Sequence, residues 1–323
     1  MPFSGFSHAS LAWRAVVRRL GSLLPTLFGM SLLAFALVAA APGDPVQAEA
    51  LRQGIVLTPG NAAALRSELG LEGSWPQRYG RWLVQAVHGD FGRSLASRRP
   101  VSQEISSHLG PSLQLATLAL AVAIPLALAA GLASALARSA LVVALLRGIT
   151  VVVVSTPGYW LALLALVLFA VQLGWTRVVG DGLLADLWLP ALVLGISAAA
   201  PASRLIRERA LQVLAEDPMR LTIAQGLAPW RIVLTRLLPA TLVPAITVWA
   251  NTLGGLLGGA VIVETVFGWP GLGRLVLQSI AERDLPVLQA YLCLMGLVYV
   301  SVSLVADLLV AWLEPAQSGA RQG

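Results

Sequence analysis

Six stretches of this 323-residue chain hold no Asp, Glu, Lys or Arg, and they limit what it can fold into more than any other feature. They are Leu20–Gly43, Ile105–Ala137, Gly148–Thr176, Leu187–Ser203, Leu237–Val263 and Leu285–Ala306. A helix crosses a bilayer with about 20 apolar residues, within a range of about 17–25. Each run is therefore long enough for one span, and an all-α, polytopic membrane protein with six transmembrane helices is predicted. Only 12% of residues are charged, against about 25% in soluble domains. The fourth run is marginal and carries Pro190 and Pro201, but Leu183 to Ala185 can extend it. The second and third exceed one crossing and must tilt, bend or project. Pro157, in "STPGYW", is the expected bend of the third.

All 22 basic residues are arginine. Without lysine there is no Walker-type phosphate loop and no Schiff-base chemistry. The single cysteine, Cys293, lies in the last run, so no disulfide framework exists. His8, His88 and His108 lie outside the predicted spans, and neither HExxH nor GxSxG occurs. No catalytic, metal-binding or cofactor-binding residue is assigned. A strongly basic chain can bind nucleic acid, but here the arginines follow membrane topology, and no nucleic-acid partner is expected. Arg14, Arg18 and Arg19 precede the first span, Arg138 and Arg147 bracket the next link on that side, and six more lie between Arg204 and Arg236. The positive-inside rule puts these segments and both termini in the cytoplasm. The loop between the first two spans also holds seven arginines, but it has six acids and a length at which the rule loses force. The first run is too long for the apolar core of a signal peptide, so Ala39-Ala40-Ala41 is read as part of an uncleaved anchor.

These boundaries divide the chain into residues 1–41, the N-terminus and first span, and 42–108, an extracytoplasmic helical cap. A five-helix core follows over 109–315, with a cytoplasmic loop at 204–236, and then a tail, 316–323. Within the cap, Thr58-Pro59 reads as a helix start and Leu69-Gly70 as its end. A second helix near Pro76–Val87 aligns Tyr79, Trp82, Leu83 and Ala86 on one face. "GDFGRS", Gly89 to Ser94, reads as a turn.

Three segments stand out from the spans. In the loop 204–236, Asp217-Pro218 reads as an N-cap and first helical position, Gly226 as the stop, and Pro229 as the next start. A helix–Gly–helix on one face of a bundle is a docking device. "GGLLGG" places Gly254, Gly255, Gly258 and Gly259 as overlapping GxxxG patterns, for close packing within the subunit or against a second transmembrane subunit. "VETVFGWPGLGR" puts Glu264 at the membrane boundary and Phe267 and Trp269 at the interface. Pro270, Gly271 and Gly273 then force a tight re-entrant turn.

Together these residues resemble the permease subunits of bacterial ABC importers, in the dipeptide/oligopeptide/nickel branch. The resemblance runs from "VVRRLGSLLPTLFG" at Val16 to "VADLLVAWLEP" ending at Pro315, through "APGDP", "LRSELGL", "YGRWL", "GDFGRS" with "RRPV", and "ETVFGWPGLGR" with "RDLPV". It implies the type I importer permease fold in the bacterial inner membrane. It also implies a glycine-centred coupling helix, the EAA motif, that docks on an ATPase. Gly226 matches the motif glycine, Ala224 the alanine before it, and Leu238-Pro239 the trailing Leu-Pro. Arg220, Leu221 and Thr222 stand where Glu-Ala-Ala is commonest. Asp217, Arg220, Ala224, Gly226 and Leu227 are thus assigned to ATPase coupling. Glu264, Phe267, Trp269, Pro270, Gly271, Gly273 and Arg274 are assigned to an extracytoplasmic gate or binding-protein dock. The implied partners are a second, homologous permease, two cytoplasmic ATPases carrying ATP and Mg, an extracytoplasmic substrate-binding protein and the lipid bilayer. The chain itself would then be no enzyme.

Two rivals fare worse. An ion-coupled secondary transporter places ionisable groups inside spans, and the six runs hold none; Glu264 and Asp307 sit at span ends. An intramembrane enzyme needs a nucleophile with its base, or a metal cluster. Soft or nitrogen-bearing ligand candidates within the spans are Met30, Cys293 and Met295, read as lying on distant spans and too few for a bare transition metal. Peptides are favoured as substrate, with nickel or another metal chelate as the alternative.

Overall fold

The computed structural model describes residues 21, 25–37, 39–40, 44–177 and 184–313. The expected cytoplasmic N-terminus with Arg14, Arg18 and Arg19, part of the first run, and the tail 316–323 lie outside the described residues. The helices begin with α1 (Pro25–Leu37), α2 (Pro45–Gln53), α3 (Pro59–Glu68), α4 (Trp75–Val87) and α5 (Val101–Leu136). Next come α6 (Ala140–Ser155), α7 (Gly158–Ala165), α8 (Trp188–Ala215), α9 (Asp217–Ala224) and α10 (Pro229–Ile232). The last are α11 (Leu238–Gly259), α12 (Val261–Val266), α13 (Leu272–Ala281) and α14 (Leu285–Leu313). Among the described residues the only extended pairing is an isolated bridge between Arg93 and Pro100.

Among the described residues four stretches are long and apolar enough to cross a membrane alone: α5, α8, the continuous run Pro229–Leu257, and Leu285–Val310 of α14. A fifth is broken. α6 and the helix that starts at Gly158 meet at an angle of 103°. Thr156, forced by Pro157 out of the helical region, ends α6 at φ −89°, ψ 124°. Of the first run, α1 is the described apolar part.

α8 differs from its sequence expectation. It is not lengthened at its N-terminus, where Leu184–Asp186 is a short 3₁₀ turn. It continues instead through Pro201 and the arginines to Ala215. The segment 204–236 is thus largely a helical extension of the bundle rather than a separate loop. Nothing breaks α8 until Pro218, which has no N–H to give Leu214 and would clash with its carbonyl.

The chain forms two compact units. One contains the described residues of Ser22–Leu109 together with Leu275–Leu297. The described residues of the cap 42–108 thus share this unit with α1 and Leu275–Leu297. In this unit α4 turns the predicted face inward: Tyr79 is buried, and Trp82, Leu83 and Ala86 are half-buried. Phe35 of α1 meets Trp75, Tyr79 and Trp82 at ring-centroid distances of 5.3, 5.4 and 5.8 Å. The Ser31 hydroxyl lies 2.8 Å from that of Tyr79. α3 starts with a capping box between Thr58 and Asn61, as the Thr58-Pro59 signal requires. Val46 and Ala50 of α2 close on Leu65 of α3. Asp284, 2% exposed, receives the hydroxyl of Ser94 and the N–H groups of Leu95 and Ala96, the latter two at 3.1 and 3.3 Å. It thereby ties "GDFGRS" to "RDLPV". A Cβ on Gly296 would fall on the sulfur of Met30. Met30 therefore packs on the helix that carries Cys293 and Met295, so these are not distant spans.

The other unit contains Gly110–Arg274 and the chain from Val298 onward. Its centre is an alanine-rich seam. Ala123 and Ala127 of α5 meet Ala198, Ala199, Ala202 and Ile206 of α8, with Ala245 and Trp249 of α11. Small side chains let helix backbones come close. A Cβ on Gly131 would lie 2.7 Å from Ile206 Cγ2 and 2.8 Å from the Ser203 carbonyl oxygen. One on Gly195 would lie 2.7 Å from Val122 and 2.9 Å from the Ala119 oxygen.

Candidate gate turn and coupling helix

Residues 263–274 fold around one carboxylate. α12 turns Glu264 inward, where it is 1% exposed. Gly268, at φ +67°, reverses the chain, and α13 starts at Leu272. The first N–H groups of a helix lack partners within it. Here Leu272 N–H donates to Ser112 Oγ at 2.7 Å. Gly273 and Arg274 N–H donate to Glu264 Oε2 at 2.7 and 3.1 Å, and Ser112 Oγ donates to Glu264 Oε1 at 2.6 Å. An acidic group at this end also meets the positive pole of the helix dipole. Gly271 and Gly273 are small for a local reason. A Cβ on the first would fall on the Glu264 carboxylate, and one on the second would lie 2.5 Å from Val261 Cα. Trp269 Nε1 donates to the Pro111 carbonyl at 2.9 Å, and Arg274 Nη1 to that of Gly268 at 2.7 Å.

This geometry sharpens the reading of the string. Glu264, which the sequence places at the membrane boundary, is the buried hub of the turn. Phe267 and Trp269 are 6% and 2% exposed and belong to the core with Leu115, Leu189 and Leu256, not to an interfacial belt. Among the seven residues assigned to the gate, Arg274 is exposed and Pro270 half-buried, while Gly271 and Gly273 are buried. Most of the string therefore builds the shape of the turn: its glycines make room for the carboxylate and its aromatics fill the core.

The coupling segment keeps its punctuation with one shift. α9 begins at Asp217 itself, so the residue in cap conformation is Glu216 at φ −67°, ψ 141°. Gly226 ends the turn at φ +79°, and Ala228 leads into Pro229. Met219 anchors α9, packing with Ala210 and Val213 of α8 and with Ile232 and Leu237. Arg220 and Ala224 lie on α9, their side chains outside the described residues. Around Gly226, Leu227, Trp230 and Leu234 are exposed, Trp230 by 60%. Arg231 stacks its guanidinium 5.2 Å from the Trp230 ring centre. Sequence reasoning passed over Trp230, although a large aromatic beside the turn glycine was a visible signal.

Residues 12–116 match the N-terminal part of binding-protein-dependent transport system membrane components, and residues 123–319 match the inner membrane component itself. The chain belongs to this family of ABC importer permeases. It is 39% identical over 309 residues to the glutathione transport system permease protein GsiC of Escherichia coli (strain K12), covering 93% of this chain and 97% of that one. The GsiC protein of Shigella flexneri serotype 5b is 38% identical over the same shares. Among solved structures, an inward-facing MetNI methionine ABC transporter gives a TM-score of 0.58 at 19% identity, covering 65% of this chain and 96% of that one. That likeness establishes the type I permease fold. With the family and the apolar helices, it makes the protein a multi-pass inner membrane permease subunit.

In this permease the fifth-span glycines serve unequal ends. A Cβ on Gly254 would meet Tyr299 Cδ2 of α14 at 3.3 Å, whereas one on Gly255 would meet nothing within 4 Å. The surroundings of Gly258 and Gly259 lie outside the described residues. The long spans α5 and α8 approach closely at Gly131 and Gly195 instead, which the GxxxG pattern could not point to. Ser112 and Asp284 were also missed. An isolated serine in an apolar run carries no local signal, and Asp284 was visible only as part of "RDLPV".

Proposed function

We propose that this permease forms, with a second homologous permease, the import path for short peptides, glutathione-like tripeptides foremost. An extracytoplasmic binding protein delivers the substrate, and two cytoplasmic ATPases using ATP and Mg drive alternating access. The observation that carries the substrate class is the near full-length relationship to permeases named for glutathione transport. Lack of charged residues in the runs supports a bulky organic solute over a free ion. Distance no longer separates Met30 from Cys293 and Met295, but two thioethers and one thiol remain a poor set for a bare transition metal.

α9 is the coupling helix in this reading. It is short, anchored by Met219 on one side, and flanked by the exposed Leu227 and Trp230 on the other. Asp217, Arg220, Ala224, Gly226 and Leu227 lie along the segment that meets the ATPase in the cytoplasm, where both termini also lie. The Glu264 turn works as a rigid element on the opposite side, presenting Arg274 to the binding protein or gate.

Uptake by the complete reconstituted transporter tests the substrate. Labelled glutathione and di- and tripeptides should accumulate with ATP and compete with one another. Nickel–chelate uptake that ignores excess peptide would give the path to metal chelates instead. Uptake of an uncomplexed metal ion would defeat the argument from ligand chemistry.

A further inference from the structure

A cavity of about 320 Å³ opens among α5, α6 and α8, within the unit that contains Gly110–Arg274. Its charged lining is Arg147 of α6 with Arg204, Arg207 and Glu208 of α8. Among the described residues none of these four makes an ion pair, although Arg204 and Glu208 are one helical turn apart. The net charge of the lining is three positive less one negative. Two further polar atoms are buried there without a partner: the hydroxyl of Ser134, a residue 6% exposed, and Arg207 Nε. The other two hydroxyls are satisfied, Thr150 by the Leu146 carbonyl and Ser203 by that of Ala200. Buried donors without acceptors are costly and uncommon in native structures, so this cavity is shaped for something that accepts from them.

The occupant must bring several anionic oxygens, which guanidinium forks match in phosphate. It must also suit an apolar rim. Ala130, Leu146 and Val151 line the cavity, and α6 beside it exposes Leu145, Ile149 and Val152. Ser134 lies two residues before the end of α5 at Leu136, which places the polar lining at the end of the spans, at headgroup depth. A soluble anion has no use for the rim; a phospholipid uses both parts. Basic pockets between transmembrane helices are known to take anionic headgroups. We propose that this cavity holds the phosphate headgroup of an anionic phospholipid, with Arg204, Arg207 and Arg147 on the phosphate oxygens and Ser134 as a further donor. The site is independent of the substrate reading.

The full chain, purified in detergent, is titrated with phosphatidylglycerol and separately with phosphatidylcholine, and retained lipid is read by native mass spectrometry. Phosphatidylglycerol should be retained preferentially. Arg204→Gln with Arg207→Gln should weaken it about thirtyfold, and Arg147→Gln about fivefold. Arg204→Lys with Arg207→Lys should recover most of the loss. If the double glutamine variant does not fold, Arg147→Gln, on the outer surface of α6, decides alone. Unchanged retention in either glutamine variant, or equal retention of the two lipids, overturns the proposal. So does release of the lipid by equimolar glutathione or inorganic phosphate, which would make this a soluble-anion site. Loss of the lipid on assembly with the partner subunits would give the cavity to a partner's carboxylate and overturn it as well.

Discussion

Glu264 and Ser112 are 152 residues apart in sequence, and their side chains meet at 2.6 Å over the first N–H groups of α13. The serine relays one of those groups and the carboxylate takes two. Glu264→Gln keeps the volume but turns an acceptor into a donor beside other donors. Hydrogen bonds to charged groups contribute about 1.5–3 kcal/mol, so this change should lower the apparent melting temperature of the detergent-purified protein clearly. Ser112→Ala should do so by less. An unchanged melting temperature in the glutamine variant would mean the carboxylate does not hold the turn.

Gly226 offers a cleaner test of the coupling segment. A Cβ there meets nothing within 4 Å, so the penalty of substitution is the φ of +79° alone. Gly226→Val should be strained by about 1–2 kcal/mol, and Gly226→Asn much less. The valine variant should insert normally yet lose ATPase association and uptake. Wild-type transport by it would remove α9 from the coupling role.

Met219 should matter for the same contact through packing. Met219→Ala empties a site shared with Ala210, Val213, Ile232 and Leu237, and large-to-alanine core changes cost about 2–5 kcal/mol. The expected signature is faster proteolysis confined to 216–228, with the spans unaffected. Protection equal to wild type there would show that α9 is held by other contacts.

Gly131 and Gly195 predict overpacking. Either glycine changed to valine must move a neighbouring helix, since backbone carbonyls lie 2.8 and 2.9 Å from the added Cβ. A cost of about 1–3 kcal/mol or more is expected, measured as loss of monodisperse protein on heating. Gly255→Val, with nothing near, should leave the isolated chain intact. If it instead impairs assembly with a second permease, Gly255 belongs to that interface.

Topology is tested by tags. Insertions near Arg138 and Gln225 should report the cytoplasm, and one near Gly60, exposed at the start of α3, the opposite side. A cytoplasmic signal from Gly60 would contradict the arginine-based orientation.

The sequence by itself determined what depends on neighbours along the chain. Charge-free runs predict spans because charge is expensive in hydrocarbon. The capping box at Thr58, the bend at Pro157 and the left-handed Gly226 follow from backbone sterics within a few residues. The glycine-centred helix–turn–helix at Asp217–Ile232 was legible for the same reason. Only the tertiary structure decided where polar and small residues find partners. The sequence showed Glu264 only as an acid at a span end, and its partners, Ser112 and the start of α13, came from the fold. Asp284 showed no purpose until Ser94, 190 residues away, reached it. Gly131 and Gly195 proved to be where α5 and α8 come close. A hydrogen bond or a close backbone approach depends on which helices become neighbours, and periodicity along one helix carries no record of that.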